Sequence, residues 1–166
     1  MRVANGAMRI EKMRPEDLEA VLRVEVASFS QPWTREMFEV ELIPGVSLAL
    51  VARSDADTLV GYLCGSIVGD EFHISNVAVD PRVRRRGVGR KLLLSALVEA
   101  SQHGASTASL EVRASNRAGQ SLYRNFGFTV IGRRRRYYTS PVEDAVIMCL
   151  HPLKAAVTSH TEGETA

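Results

Sequence analysis

Apolar positions along the chain alternate with polar ones in some stretches and recur at three and four residues in others, and the two periods take turns. Arg9–Met13 reads as a short strand. Pro15, Glu16 and Asp17 then carry the chemistry of a helix start, a preset φ followed by carboxylates at the positive end. Leu18, Val21, Leu22 and Phe29 continue at helical spacing. After the break at Gln31-Pro32-Trp33, Thr34 is placed to cap a second short helix carrying Phe38 and Leu42, which Pro44-Gly45 ends. Ser47–Arg53 and Leu59–Val68 are β-rich runs on either side of the turn composition Ser54-Asp55-Ala56-Asp57-Thr58, which predicts a hairpin. A second turn at Gly69-Asp70-Glu71 leads into Phe72–Val79 and completes a meander of three strands.

Beyond the meander the order is helix, strand, helix, strand, strand. Val88, Leu92, Ala96 and Ala100 form one stripe of a long helix, with Leu93 and Leu97 beside it and Gly104 where a C-terminal cap belongs. Ser106–Val112 is a strand, Arg117–Phe126 a helix closed by Gly127, and Phe128–Tyr138 with Ala145–Leu150 a final strand pair. Strand, long helix, strand predicts a parallel crossover, so the fold class is α/β with a mixed sheet. Residues 1–7 read as a flexible extension, with Met8 as an alternative start. The segment 8–154 reads as one domain, and 155–166, AAVTSHTEGETA, as a flexible tail, being small, polar and unpatterned.

Composition narrows this picture. A chain of 166 residues that is 45% apolar buries one sizeable core. Lys and Arg total 21 against 19 Asp and Glu, a net charge of +2, which is too little excess for a broad electrostatic grip on nucleic acid, although local arginine clusters suit an anionic ligand. Cys64 and Cys149 lie far apart in apolar runs, as buried thiols of a reducing compartment do. His73, His103, His151 and His160 show no metal spacing, so no metal and no histidine role is expected. No window approaches the roughly 20 apolar residues of a membrane span and no signal-peptide region is present, so a cytoplasmic protein is expected.

The densest candidate chemistry is RVRRRGVGR, residues 82–90, between the third meander strand and the long helix. A helix N-terminus presents unpaired N–H groups and partial positive charge, and glycines let a phosphate approach them closely. The same residues also suit a solvated basic loop. The Lys-Ser/Thr pair of a P-loop and the third glycine of a dinucleotide fingerprint are missing.

Taken in order, NVAVDP at 76–81, R-x-x-G-x-G opening a helix, LEVRASN at 110–116, Leu122-Tyr123 and Gly127-Phe128 resemble the acyl-CoA-dependent GNAT N-acetyltransferase family over about residues 8–150. FSQPWT at 29–34, SLY at 121–123, RRRRYY at 133–138 and EDAVIM at 143–148 are similar to its RimI subgroup, acetyltransferases of an N-terminal alanine on a ribosomal protein. The resemblance implies the GNAT fold, a mixed sheet of about seven strands flanked by about four helices. It implies acetyl-CoA as cosubstrate, with the pantetheine arm on the backbone of Val77, Ala78 and Val79, and the pyrophosphate on Arg84, Arg85, Arg86, Gly87, Val88, Gly89 and Arg90. Asn116, a helix N-cap by position, would also touch CoA, and the Val79 N–H would hold the oxyanion.

The same resemblance makes Glu111 the base and Tyr123 the acid that protonates the CoA sulfur. Without it, Glu111 is a solvent-facing strand carboxylate or a partner for Arg113, and Tyr123 a core aromatic beside Phe126. Phe29, Trp33 and Tyr138 would wall a peptide groove, or serve as packing residues. An α-amine, with a pKa near 7.7–8.0 against about 10.4 for lysine, is easier to prepare for attack by roughly 3.4 kcal/mol. The resemblance implies as partner the N-terminus of a protein, a ribosomal one, with no membrane and no specific nucleic acid expected. The run Arg133–Arg136 is more basic than a groove for a basic peptide wants, unless its side chains point to solvent or meet ribosomal RNA. The other readings are a GNAT enzyme acting on a small-molecule amine or internal lysine, and a non-catalytic RNA-binding or ribosome-associated module.

Overall fold

The structure is a computed structural model and describes residues 7–45 and 47–163. Strand β1 spans Arg9–Lys12; a 3₁₀ turn at Pro15–Asp17 leads into α1, Leu18–Ser28, and α2, Arg35–Glu41. Strands β2 (Ser47–Arg53), β3 (Leu59–Val68) and β4 (Glu71–Val79) form the meander. Helix α3 (Val88–Gln102), β5 (Thr107–Arg113), α4 (Arg117–Asn125), β6 (Thr129–Thr139), β7 (Val142–Leu150) and α5 (Leu153–Glu162) complete the chain. The seven strands make one sheet in the order β1-β2-β3-β4-β5-β7-β6, and only β4 and β5 pair in parallel.

Two apolar clusters cover the two faces of this sheet. Helices α1 and α2 bring Leu18, Val21, Val24 and Phe38 onto Ala49, Val51, Leu59 and Tyr62. On the other face α3 brings Leu92, Leu93, Ala96 and Leu97, and α4 brings Tyr123, onto Leu63, Phe72, Leu110 and Met148. Strand β5 alternates strictly, with Ala108, Leu110 and Val112 buried and Ser109, Glu111 and Arg113 turned the other way, so its polar side chains share one face.

The end of the chain differs from the expectation of a flexible tail. Residues 153–162 are the helix α5, because Leu153, Ala156 and Val157 recur at helical spacing and pack on the α3 side of the core, and the His160 ring stands edge-on to Phe126 at 4.2 Å. The apolar stripe is narrow and made of small residues, and it brings the helix count to five. Residues 1–6 of the expected N-terminal extension and 164–166 of the tail lie outside the described residues.

One irregularity positions everything functional. The β3–β4 register shifts between Cys64 and Gly65, where Gly65 opposes Ile74 and Cys64 opposes Asn76, so Ser75 has no opposite residue. Such a bulge bends the strand and ends pairing on its other edge. The β4–β5 ladder accordingly runs only from Glu71 against Thr107 to Ile74 against Leu110, after which the two strands part. Gly65 makes the bulge possible, since a Cβ there would stand 2.5 Å from the Phe72 ring and 2.7 Å from the His73 carbonyl oxygen.

Candidate active site

The parting strands open a cleft of about 400 Å³ whose walls include Ser75, Asn76 and Val77 of β4 and Leu110, Glu111 and Val112 of β5. Asn116 and Tyr123 line it from α4, Phe29 and Trp33 from the α1–α2 segment, and Tyr138 from β6. Seven of the expected site residues, Val77, Glu111, Asn116, Tyr123, Phe29, Trp33 and Tyr138, thus share one cavity. Ala78, Val79 and 84–90 are not in its lining and continue from it along β4 to the N-terminus of α3.

Glu111 sits on the polar face of β5 with a largely covered side chain, 15% exposed. His73 Nε2 is 3.2 Å from its Oε2, and Arg134 Nε is 3.5 Å from its Oε1. The alternative partnership with Arg113 is not formed. Arg113 pairs with Glu143 at 3.3 Å, and its guanidinium carbon lies 4.2 Å from the Tyr138 ring centroid. Hydrogen bonds from Ser115 and Arg113 hold the Glu143 carboxyl below its ordinary range. The four-arginine run is not uniformly turned to solvent. Arg133 reaches Asp144 at 3.4 Å, Arg134 reaches Glu111, and the Arg136 N–H donates to Asp144.

Tyr123 is buried against Phe128, with ring centroids 5.8 Å apart, while lining the cleft. Its hydroxyl makes no hydrogen bond to the described residues. Burial, and then the neighbouring Tyr138, push its pKa up to about 12. Tyr138 is likewise pushed up to about 12, by burial and Tyr137, against the opposing effect of Arg113. Unfolded phenols titrate near 10, so between about 10 and 12 the folded chain holds more protons than the unfolded one. The stability these two groups contribute is complete below pH 10 and is lost as pH rises through 12. Urea midpoints measured from pH 8 to 11.5 should fall above pH 10, and less steeply for Tyr138→Phe.

Glu25 is the residue that sequence reasoning passed over. It is 1% exposed, lines the cleft, and collects three donors: the Trp33 N–H at 2.8 Å, the Asn76 amide at 3.1 Å and the Tyr62 hydroxyl. Burial pushes its carboxyl up, and the Trp33 and Asn76 bonds partly offset this. The signal was present, because Glu25 occupies a position of the stripe Leu18, Val21, Leu22, Phe29, where a carboxylate must find partners. Through Trp33 it ties the α1–α2 segment to the sheet, and the Trp33 ring packs on Phe38 at 5.2 Å. Across the mouth of the cleft, Thr139 Oγ1 donates to Gln31 Oε1 at 2.9 Å and the Ser30 hydroxyl donates to the Ser140 carbonyl. Phe29, Trp33 and Tyr138 therefore occupy segments that meet over the cleft.

At the far end of β4, Gly87 caps α3 with φ +81° and no side chain accepts from the first turn, which leaves its N–H groups available to an anion. The two glycines serve differently. Gly87 supplies the left-handed backbone, whereas a Cβ on Gly89 would come within 3.3 Å of Leu122 and 3.8 Å of Val79. The arginines also divide. Arg84 donates to the Val79 carbonyl and to Ser28, Arg90 lies 5.9 Å from the Phe126 ring centroid, and Arg85 and Arg86 are exposed. Asn116 is the N-cap of α4, its Oδ1 accepting from the Gly119 N–H at 2.9 Å.

The family model for the acetyltransferase (GNAT) family matches residues 18–128. The chain belongs to the GNAT acetyltransferase family. It is 39% identical over 140 residues to a putative [ribosomal protein bS18]-alanine N-acetyltransferase of Bacillus subtilis, covering 84% of this chain and 92% of that protein. To the [ribosomal protein bS18]-alanine N-acetyltransferase of Escherichia coli K12 it is 34% identical over 143 residues, covering 85% and 95%. The crystal structure of the E. coli ribosomal-protein-S18-alanine N-acetyltransferase superposes with a TM-score of 0.81 at 33% identity, over 88% of this chain and 94% of that one.

As a GNAT acetyltransferase the protein is an enzyme with acetyl-CoA as cosubstrate. Among the described residues no group of three His, Cys, Asp or Glu gathers to hold a metal, and no helix is long and apolar enough to cross a membrane. Membership of a catalytic family, with Glu111 and Tyr123 in one cleft, disfavours a non-catalytic RNA-binding module.

Proposed function

We propose that this GNAT enzyme acetylates the α-amine of an N-terminal alanine on a small-subunit ribosomal protein, the reaction for which its relatives are named. The observation that carries the reading is the sharing of one cleft by a carboxylate, Glu111, and a free phenol, Tyr123, at the point where β4 and β5 part. A cleft between diverging strands offers an incoming thioester the unpaired peptide groups of β4, and it offers an amine a carboxylate from β5.

Acetyl transfer begins with recognition at both ends. The pyrophosphate of acetyl-CoA would lie on the N–H groups of the turn at 86–89, where Gly87 admits close approach. The pantetheine would follow Val77, Ala78 and Val79. The Val79 carbonyl is already engaged by Arg84, which leaves its N–H as the group for the thioester oxygen. Asn116 keeps its amide nitrogen for CoA while its oxygen caps α4. The substrate N-terminus would enter between Phe29, Trp33 and Tyr138.

The chemistry then needs a neutral amine and a supported leaving group. Glu111 takes the proton of the α-ammonium, directly or through water, and the amine nitrogen attacks the thioester carbon; as the C–S bond breaks the nitrogen gives up a second proton, which ends on the departing thiolate. Tyr123 donates a hydrogen bond to the departing sulfur. A phenol at about 12 stays protonated at every pH the enzyme meets, so the donor is always ready.

Mass spectrometry of reactions with acetyl-CoA and two matched peptides tests this reading. One peptide carries a free N-terminal alanine; the other is N-terminally blocked and carries lysine. Acetylation confined to the free alanine is expected, and transfer to the blocked lysine peptide, or to neither, contradicts it.

A further inference from the structure

The surroundings of Glu111 contain a chain of polar groups that the reaction as described leaves unused. His73 of β4 stands opposite Ser109 of β5 in the parallel ladder, and Ser109 and Glu111 share the polar face of β5. Beginning at the cleft, Glu111 Oε2 is 3.2 Å from His73 Nε2. His73 Nδ1 is 3.2 Å from Ser109 Oγ, and the Ser109 hydroxyl donates to Glu71 Oε1 at 2.5 Å. Glu71 begins β4 at the exposed edge of this path.

Counting protons along this chain is informative. The three approaches need three protons, one in each gap. Ionised carboxylates, a neutral imidazole and a serine supply two, one from the ring and one from the hydroxyl. Since Ser109 gives its proton to Glu71, the one ring proton of a neutral His73 serves either Ser109 or Glu111, according to tautomer, and the other gap is left without one. In the tautomer protonated at Nδ1 the Nε2 lone pair faces Glu111 at 3.2 Å, and a single additional proton between them fills that gap. A proton taken from a substrate ammonium is that proton.

We infer that His73 discharges the base: it accepts through Glu111 the proton removed from the substrate amine and passes it by way of Ser109 to Glu71 and water. This rests on the reading of Glu111 as base. An N–H bond of the ammonium breaks, its electron pair staying on nitrogen, and an O–H bond forms at Glu111. That proton moves to Nε2 as the Nδ1 proton moves to Ser109 Oγ and the Ser109 proton moves to Glu71, which releases it to water. The ring, left as the opposite tautomer, resets by exchange with solvent, to which its side chain is 39% exposed. Each turnover exports one proton, and no group changes its oxidation state. His73 touches no reacting atom in this scheme and is a positioning residue that restores Glu111. The charged and titratable groups around this path are Glu71 on β4, Arg113 on β5, Arg134 and Tyr138 on β6, and Cys149 on β7, which stands opposite Ser109.

Two measurements test the relay. Long-range ¹H–¹⁵N spectra of the imidazoles, with His73→Gln to identify the His73 signals, should show His73 ring nitrogen shifts that move in Glu111→Gln, as expected when the group sharing a proton with Nε2 is replaced. With the alanine peptide, His73→Gln should lower kcat by about 10-fold at pH 7, against the 10²- to 10⁴-fold range of a full base. Its KM for acetyl-CoA should stay within about twofold, and the deficit should shrink above pH 9, where the amine is already neutral. His73 ring nitrogen signals unmoved by Glu111→Gln, or a His73→Gln enzyme with wild-type kcat and pH profile, overturn the relay. Should the wild-type enzyme leave the alanine peptide unmodified, the function proposed above fails, and the imidazole spectra still decide whether His73 and Glu111 share a proton.

Discussion

Glu111→Gln is expected to lower kcat by about 10²- to 10⁴-fold at neutral pH, the range by which a positioned base accelerates a step that needs a proton removed. The substitution keeps the shape of the side chain and removes its charge and its capacity to take up a proton. Its ion contacts, to Arg134 and His73, involve partners whose side chains are 56% and 39% exposed, so the change in stability should stay within about 1 kcal/mol. The turn at 84–90 lies outside the cleft lining, so KM for acetyl-CoA should hold while kcat collapses. A pH profile separates this from general damage. An α-ammonium loses its own proton near 7.7–8.0, so the variant should recover part of the lost rate as pH passes through that range. Steady-state kinetics between pH 6.5 and 9.5 provides the check, and a variant within threefold of wild type at pH 7 removes Glu111 from the role of base.

Tyr123→Phe is expected to lower kcat by roughly 10- to 150-fold, corresponding to the 1.5–3 kcal/mol of one hydrogen bond to a charged group. The pKa of about 12 sets this scale. With an ordinary thiol near 8.5, complete proton transfer from the phenol to a thiolate would be uphill by about 5 kcal/mol. The contribution of Tyr123 is therefore a hydrogen bond to sulfur as charge develops. The ring keeps its contact with Phe128 and the hydroxyl has no partner to lose among the described residues, so the variant should unfold at nearly the wild-type urea concentration. CoA affinity measured by calorimetry should also be little changed. Unaltered turnover would return Tyr123 to a packing role.

Features that repeat locally were legible in the sequence. The alternation of β5 put Leu110 and Val112 in the core and Glu111 on the opposite face, and the α3 stripe of Val88, Leu92, Ala96 and Ala100 is buried. The capping chemistry of Thr34 and Asn116 was also visible, and both side chains accept from their helices. Features that depend on register between distant strands were not. The approach of His73 to Glu111 follows from the parallel pairing of His73 with Ser109, 36 residues apart, and no local pattern carries that information.

A run of four arginines cannot announce which member faces the site. In β6 the register breaks between Arg134 and Tyr138 and Arg136 adopts φ +51°, so simple alternation fails where it was needed. Helix α5 was missed for a different reason: its buried face is made of Leu153, Ala156 and Val157, too small a stripe to stand out from a polar tail. Glu25 shows that a polar residue inside an apolar stripe is itself a signal, since its burial required the Trp33, Asn76 and Tyr62 donors that order the mouth of the cleft.

The central claim is that amine and thioester meet where β4 and β5 part. A crystal structure of the enzyme with CoA joined through its sulfur and an acetyl bridge to the nitrogen of an alanine-initiated peptide tests this most directly. The account predicts the sulfur within hydrogen-bonding distance of the Tyr123 hydroxyl, the alanine nitrogen beside Glu111 or one water from it, and the pyrophosphate on the turn at Gly87. A peptide lying outside the cleft, or a sulfur remote from Tyr123 with the nitrogen remote from Glu111, would contradict it.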